Sequence, residues 1–174
     1  MLLYKSTVSR DLFKILFVFN IITSFLSAQT PAPSDIYVGY GYFSGEYYDF
    51  FTDQAGNNQV NISDYIFYKG NTYTFHKISG NNHPFYLSDI PNNSSGSYHY
   101  GTLSFPVSSD STISQSDGIR SSESMTLTIP ASYSNTLHYY CTKFFHTSMV
   151  ASLNVGDPPS YINNSRLIIT EVDR

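Results

Sequence analysis

A chain of 174 residues has room for one ordinary domain with a real core, and hardly for two. Only 13% of its residues are charged and the formal net charge is −4, which argues against nucleic acid or an anionic membrane surface as a partner. Aromatics reach 17%, through Tyr and Phe alone, and Ser, Asn, Thr and Gly fill much of the rest, a mixture that reads as short strands and many turns, with no long amphipathic helix after the first thirty residues.

The N-terminus has the layout of a secretory signal. Lys5, Arg10 and Lys14 lead into an apolar run from Ile15 to Leu26, and Ser27-Ala28 supplies small residues for cleavage after Ala28. An uncleaved membrane anchor is the competing reading, because the apolar stretch from Leu12 is only a little short of the ~20 residues that span a bilayer. Removing residues 1–28 leaves six basic and twelve acidic side chains, a formal charge of −6. The expected organisation is a signal peptide (1–28), one domain (29–156) and a C-terminal tail (157–174). A secreted or extracytoplasmic location is expected, with no membrane insertion of the mature chain.

In the mature chain, residues 29–34 form a Pro-containing entry segment. Residues 35–52 alternate, with Ile36, Val38, Tyr40 and Tyr42 on one side and Tyr37, Gly39, Gly41 and Phe43 on the other. Ser44-Gly45 breaks the run, which predicts two strands joined by a turn. Turns are expected at 53–58 and 69–71, flanking a strand at 66–68, and a strand over 72–78 places Tyr73 and Phe75 on one face with Thr74 and His76 on the other. A strand over 83–87 comes next, with Pro84 suiting a sheet edge. Polar loops at 91–97 and 108–122 flank a strand over 98–105. Residues 123–129 point Met125, Leu127 and Ile129 inward. Strands over 136–141 and 149–155 complete the domain, and residues 167–169 can add an edge strand. The pattern predicts an all-β fold, an antiparallel two-sheet sandwich without internal repeats.

Chemistry concentrates between His138 and Leu153. Cys141 is the only cysteine, so it cannot pair within its chain, and in an exported domain it is an intermolecular bridge, a reactive thiol or a metal ligand. His146 and Met149 come after it at spacing Cys-x4-His-x2-Met, which favours metal. A thiolate, two imidazoles and a weakly held thioether suit copper in both its oxidation states. His83, in GNNHPFYLSD, is the candidate for the second imidazole. His76, His99 and His138 are weaker candidates, and alternation puts His138 in a row with Tyr140 on the solvent side.

These segments resemble the cupredoxins, the small blue-copper proteins of the plastocyanin, azurin and amicyanin type. Leu137, Tyr139 and Cys141 fit the L-x-Y-x-C strand that precedes their ligand loop, and HPFYLSD fits the upstream ligand strand. Four residues (Thr142 to Phe145) separate Cys141 from His146, as in azurins, where many relatives have two. The resemblance covers roughly residues 36–156 and implies a Greek-key cupredoxin-like sandwich holding one type-1 copper ion by His83, Cys141, His146 and Met149. It further implies single-electron transfer with an unidentified redox partner and an electron exit at His146 within an apolar patch bordered by Phe144 and Phe145, with Thr142 and the backbone amides of the loop expected to tune the metal. The protein is expected to be a monomer.

Plainer readings accompany each residue. A buried cysteine is an ordinary small core residue, a histidine beside a loop is often only a satisfied polar group, and a methionine opening a strand is ordinary packing. Four glycosylation sequons, at Asn61, Asn92, Asn93 and Asn163, matter only where the host glycosylates. No Ser/His/Asp arrangement, spaced carboxylate pair or second copper cluster points to catalysis, so a non-enzymatic role is expected. The alternatives to electron transfer are a non-redox extracellular binding module on the same sandwich and copper sequestration.

Overall fold

The computed structural model describes residues 29–90, 101–109, 114 and 116–160. The chain divides into two compact units, Met1–Thr30 and Pro31–Arg174, and the second holds nearly all of the described residues. The expected signal segment, His99, Asn92, Asn93, Asn163 and the 167–169 strand lie outside the described residues. Among the described residues no helix is long and apolar enough to cross a membrane.

The second unit is mostly β-sheet, arranged as three sheets, none of them closed. After a two-residue strand at the division (β1, Thr30–Pro31), the chain forms β2 (Asp35–Gly41), β3 (Tyr48–Phe51), β4 (Gln59–Val60) and β5 (Tyr65–Tyr68). Next come β6 (Thr72–Lys77), β7 (Phe85–Ser88), β8 (Val107–Ser109) and β9 (Ser124–Thr128). The series ends with β10 (His138–Cys141), β11 (Val150–Ser152) and β12 (Val155–Gly156). The largest sheet runs β4-β3-β2-β6-β9-β8, and a second runs β11-β10-β7. A small third one pairs β5 with β12. A 3-10 turn, Ile62–Asp64, is capped by the Asn61 side chain, which accepts from the Ser63 N–H.

Period-two alternation decides which side chains meet between the sheets. Ile36, Val38, Phe50, Phe75, Met125 and Leu127 from the large sheet and Phe85, Leu87 and Tyr139 from the second are all buried. Aromatic rings join the layers: Phe75 stacks on Phe85 with centroids 5.4 Å apart, and Phe50 meets Tyr139 edge-on at 5.2 Å. This is the arrangement expected of an all-β sandwich.

Several local expectations change. Pairing is not wholly antiparallel: β2–β6 and β5–β12 are parallel. In each case the chain returns by a crossover and not by a hairpin, which allows parallel pairing. The alternation of residues 35–43 breaks at a register shift between Val38 and Gly41, so Tyr40 and Tyr42 turn outward while Gly39 and Gly41 are buried. The expected strand over 149–155 is two strands in different sheets. Ser108 and Ser109, expected in a loop, belong to β8, which pairs with β9. Of the expected 98–105 strand, the described part shows one isolated bridge, Thr102 to Ile90.

Phe85 is fully buried and packs against the rings of Tyr48, Phe50, Phe75 and Tyr139. Phe85→Ala should cost about 3–5 kcal/mol, the range for an aromatic core truncation, read as a lower urea midpoint at an unchanged slope.

Candidate metal centre

The site forms at the end of the second sheet, where β7, β10 and β11 meet. Cys141 closes β10 and lies opposite Phe85 of β7 in antiparallel register. The ladder continues past the strand ends: the Thr142 N–H donates to Pro84 O at 3.2 Å and the Cys141 N–H to Met149 O at 3.1 Å. Residues two apart on a strand, and residues opposite one another across a ladder, share a face. His83, two residues before Phe85, and Met149, opposite Cys141, are therefore both set on the Cys141 face.

His146 comes from the connecting loop, which is folded as two successive tight turns. The His146 N–H donates to Lys143 O at 3.0 Å and the Met149 N–H to His146 O at 2.9 Å. Phe145, third residue of the first turn, has φ of 68°. That is the left-handed region normally given to Gly or Asn, costing roughly 1–2 kcal/mol for a bulky residue.

The four side chains converge. Nδ1 of His146 lies 3.1 Å from Nδ1 of His83 and 3.4 Å from the Cys141 sulfur, while Nδ1 of His83 lies 3.8 Å from that sulfur and 3.1 Å from the Met149 sulfur. Ring nitrogens ~2.0 Å and a thiolate ~2.3 Å from a common ion stand roughly 3.3–3.8 Å apart in a trigonal or tetrahedral shell. The separations around Cys141 sit within that range or at its edge, and the 3.1 Å contacts are slightly shorter. His83, Cys141 and His146 thus form a group able to hold a metal ion. Cys141 and Met149 are buried, and both imidazoles are part-exposed.

The electrostatics favour the neutral thiol at Cys141 and the neutral imidazole at His83. Burial pushes the Cys141 thiol up, opposed by the Lys143 backbone N–H, the Tyr48 hydroxyl and the charges of Lys143 and Lys77. Burial holds His83 below its ordinary value, reinforced by His146, Lys143 and Lys77. A bound cation reverses the preference at sulfur, since thiols coordinate as thiolates.

Thr142, expected to tune the metal, is turned elsewhere: its hydroxyl donates to Asp117 O at 3.0 Å. Of the loop's backbone amides, named with Thr142 in that expectation, the Lys143 N–H is directed at the sulfur. His76 is held away from the site, bonded to Asp35 at 2.9 Å and stacked on Tyr37. His138 lies 3.1 Å from the Ser152 hydroxyl. Tyr140, expected to face solvent with it, is fully buried and donates to Gly101 O, because the Gly101 segment covers that side of β10.

Four residues were not legible as site residues. Phe43 crosses edge-on to both imidazoles, with centroids 4.7 Å from His146 and 5.6 Å from His83. Gly41 lies so close that an added Cβ would fall 2.5 Å from the His83 Cβ. Tyr48 donates to Pro84 O and reaches the Cys141 sulfur. Lys77 is only 1% exposed. Its ammonium donates to Gly39 O and to Ser79 O, and lies 5.2 Å from the Tyr48 ring centroid. Lys77 alone had a signal in the sequence, since it continues the inward positions Tyr73 and Phe75 of β6.

Compared with known protein families, curated proteins and solved structures, the chain matches none.

This geometry has two measurable outcomes. Gly41→Ala should displace the His83 ring and weaken binding of added Co(II) about ten- to a hundredfold, the scale seen when support around a ligand is lost, measured by chelator competition. Burial lowers Lys77 to about 8. Above that value the unfolded chain holds a proton that the folded chain has released, so stability should rise with pH. The gain should reach about 2 kcal/mol by pH 9.5, seen in urea midpoints at pH 7 and 9.5, and should be missing in Lys77→Met.

Proposed function

We propose that the protein is a type-1 (blue) copper protein that carries single electrons through one mononuclear site, on a Greek-key cupredoxin-like sandwich. The observation that carries this reading is the meeting of one thiol, two imidazole nitrogens and one thioether at a single point beside the sheet end. Copper bound there would supply a one-electron couple, and the mix of soft sulfur and imidazole nitrogen is acceptable to both of its oxidation states.

The chain's own groups support the task. Cys141 and Met149 are fixed by ladder register, His83 by the turn in which its N–H donates to Gly80 O, and His146 by two hydrogen-bonded turns, so little donor movement accompanies a change of charge. The buried Cys141 and Met149 are shielded from water, and the Lys143 N–H and Tyr48 hydroxyl face the sulfur where negative charge collects. His146 is part-exposed beside Phe43, Phe144 and Phe145, whose exposures are 61%, 60% and 83%. Phe144 and Phe145 pack on each other at 4.1 Å. A strained backbone that holds an exposed ring outward is a feature of binding surfaces, and this patch is where a redox partner would approach the imidazole edge.

Addition of Cu(II) to the purified protein should produce intense visible absorption from thiolate-to-copper charge transfer. Cys141→Ser should abolish it, and His83→Ala should shift or remove it. A wild-type protein that shows no such band leaves the sandwich as a non-redox module. A band accompanied by slow electron self-exchange points to sequestration.

A further inference from the structure

Lys77 carries a charge for which electron transfer at the donor cluster gives no account. It ends β6 on the inward face, following Tyr73 and Phe75, and is buried in the core below the donor cluster. Among the described residues no carboxylate lies within ion-pair distance of its ammonium, whose contacts are two backbone carbonyls and the face of Tyr48. A lysine buried without a contacting acid is unusual, because burial disfavours its charge. The charges that act on it are those of Cys141 and, among the acids, Asp49. Tyr48 stands between the two groups: its ring faces the ammonium and its hydroxyl reaches the Cys141 sulfur. Lys77, Tyr48 and Cys141 thus line up across one aromatic ring, with little water to screen them.

We propose that Lys77 is the specificity-determining cation of the site, an internal positive charge that favours a monovalent soft ion over a divalent one. This rests on the reading of the four donors as a metal site. With the thiolate bound, a monovalent ion brings the cluster to neutrality and a divalent ion leaves it with one positive charge. Only the second is repelled by the ammonium. At the effective dielectric of about 20 that describes protein sites, one unit charge held across the width of an aromatic ring shifts an equilibrium on the order of tenfold. Lys77 therefore tilts the site toward Cu(I) without touching the ion. Lys143 has the same sign but is exposed, where solvent and salt weaken its effect.

The test compares Ag(I) and Co(II), neither of which requires a redox step, by chelator competition on the wild-type chain and on Lys77→Gln, Lys77→Met and Lys77→Arg. Gln keeps a donor for the two carbonyls and loses the charge, Met loses both, and Arg keeps the charge. Taking the ratio of affinities within each variant cancels damage that weakens both ions alike. The ratio of Ag(I) to Co(II) affinity should fall about tenfold in Lys77→Gln and Lys77→Met and stay near the wild-type value in Lys77→Arg. A Cu(I)-to-Cu(II) ratio should fall with it. Should the ratio change less than about threefold in both neutral variants, Lys77 is only a structural residue and the proposal is overturned while the metal site stands. A wild-type chain that takes up neither ion instead overturns the metal reading itself.

Discussion

The ladder joining β7, β10 and β11 is the constraint on which the site depends. Its register sets Cys141 against Phe85 and, one step beyond the strand, against Met149. Because side chains alternate, a slip of one residue would turn Cys141 to the opposite face and carry it away from its neighbours. The slip is opposed by the same packing that builds the core, since Tyr139, Leu87 and Phe85 would leave the interior with it. Donor geometry and fold stability are thus set by one choice of pairing.

Around that ladder the environment is graded. The two sulfurs are inside, the two imidazoles stand part-exposed, and Phe43 lies across the imidazoles from the β2–β3 turn. Residues whose main contribution is the space they leave belong to the same grading. Gly41 lets His83 approach β2. Gly118, with φ of 61°, lets residues 116–119 lie against Phe85 and Thr142, where a Cβ would fall 2.9 Å from each. The large sheet therefore serves as the wall against which the smaller sheet's donor end is pressed.

Much of the fold was legible because alternation and turn chemistry are local. Met125, Leu127 and Ile129 face inward as their spacing requires, and the positive φ of Gly56 and Gly70 sits in the turns their neighbours announce. The meeting of His83 with the Cys141 loop was legible only through paired ligand segments, since no local rule relates residues 58 apart. What could not be read was whatever depends on a third segment. The bulge between Val38 and Gly41 reverses the faces of Tyr40 and Tyr42, the Gly101 segment buries Tyr140, and Asp117 draws the Thr142 hydroxyl from the sulfur. Phe43 gave no sign at all, because an exposed aromatic in a hairpin turn is indistinguishable by sequence from one that caps a site.

The last two strands carry a mechanical consequence. β11 belongs to the donor ladder, whereas β12, beginning three residues after it ends, leaves that ladder and runs parallel to β5, anchored by the Phe67 N–H on Asn154 O and the Lys69 N–H on Gly156 O. Tension applied to the chain beyond Gly156 along the strand axis meets these bonds in shear, where they resist together instead of peeling one after another. β12 thus ties this end of the domain to β5 by bonds of its own, separate from the ladder that holds Met149.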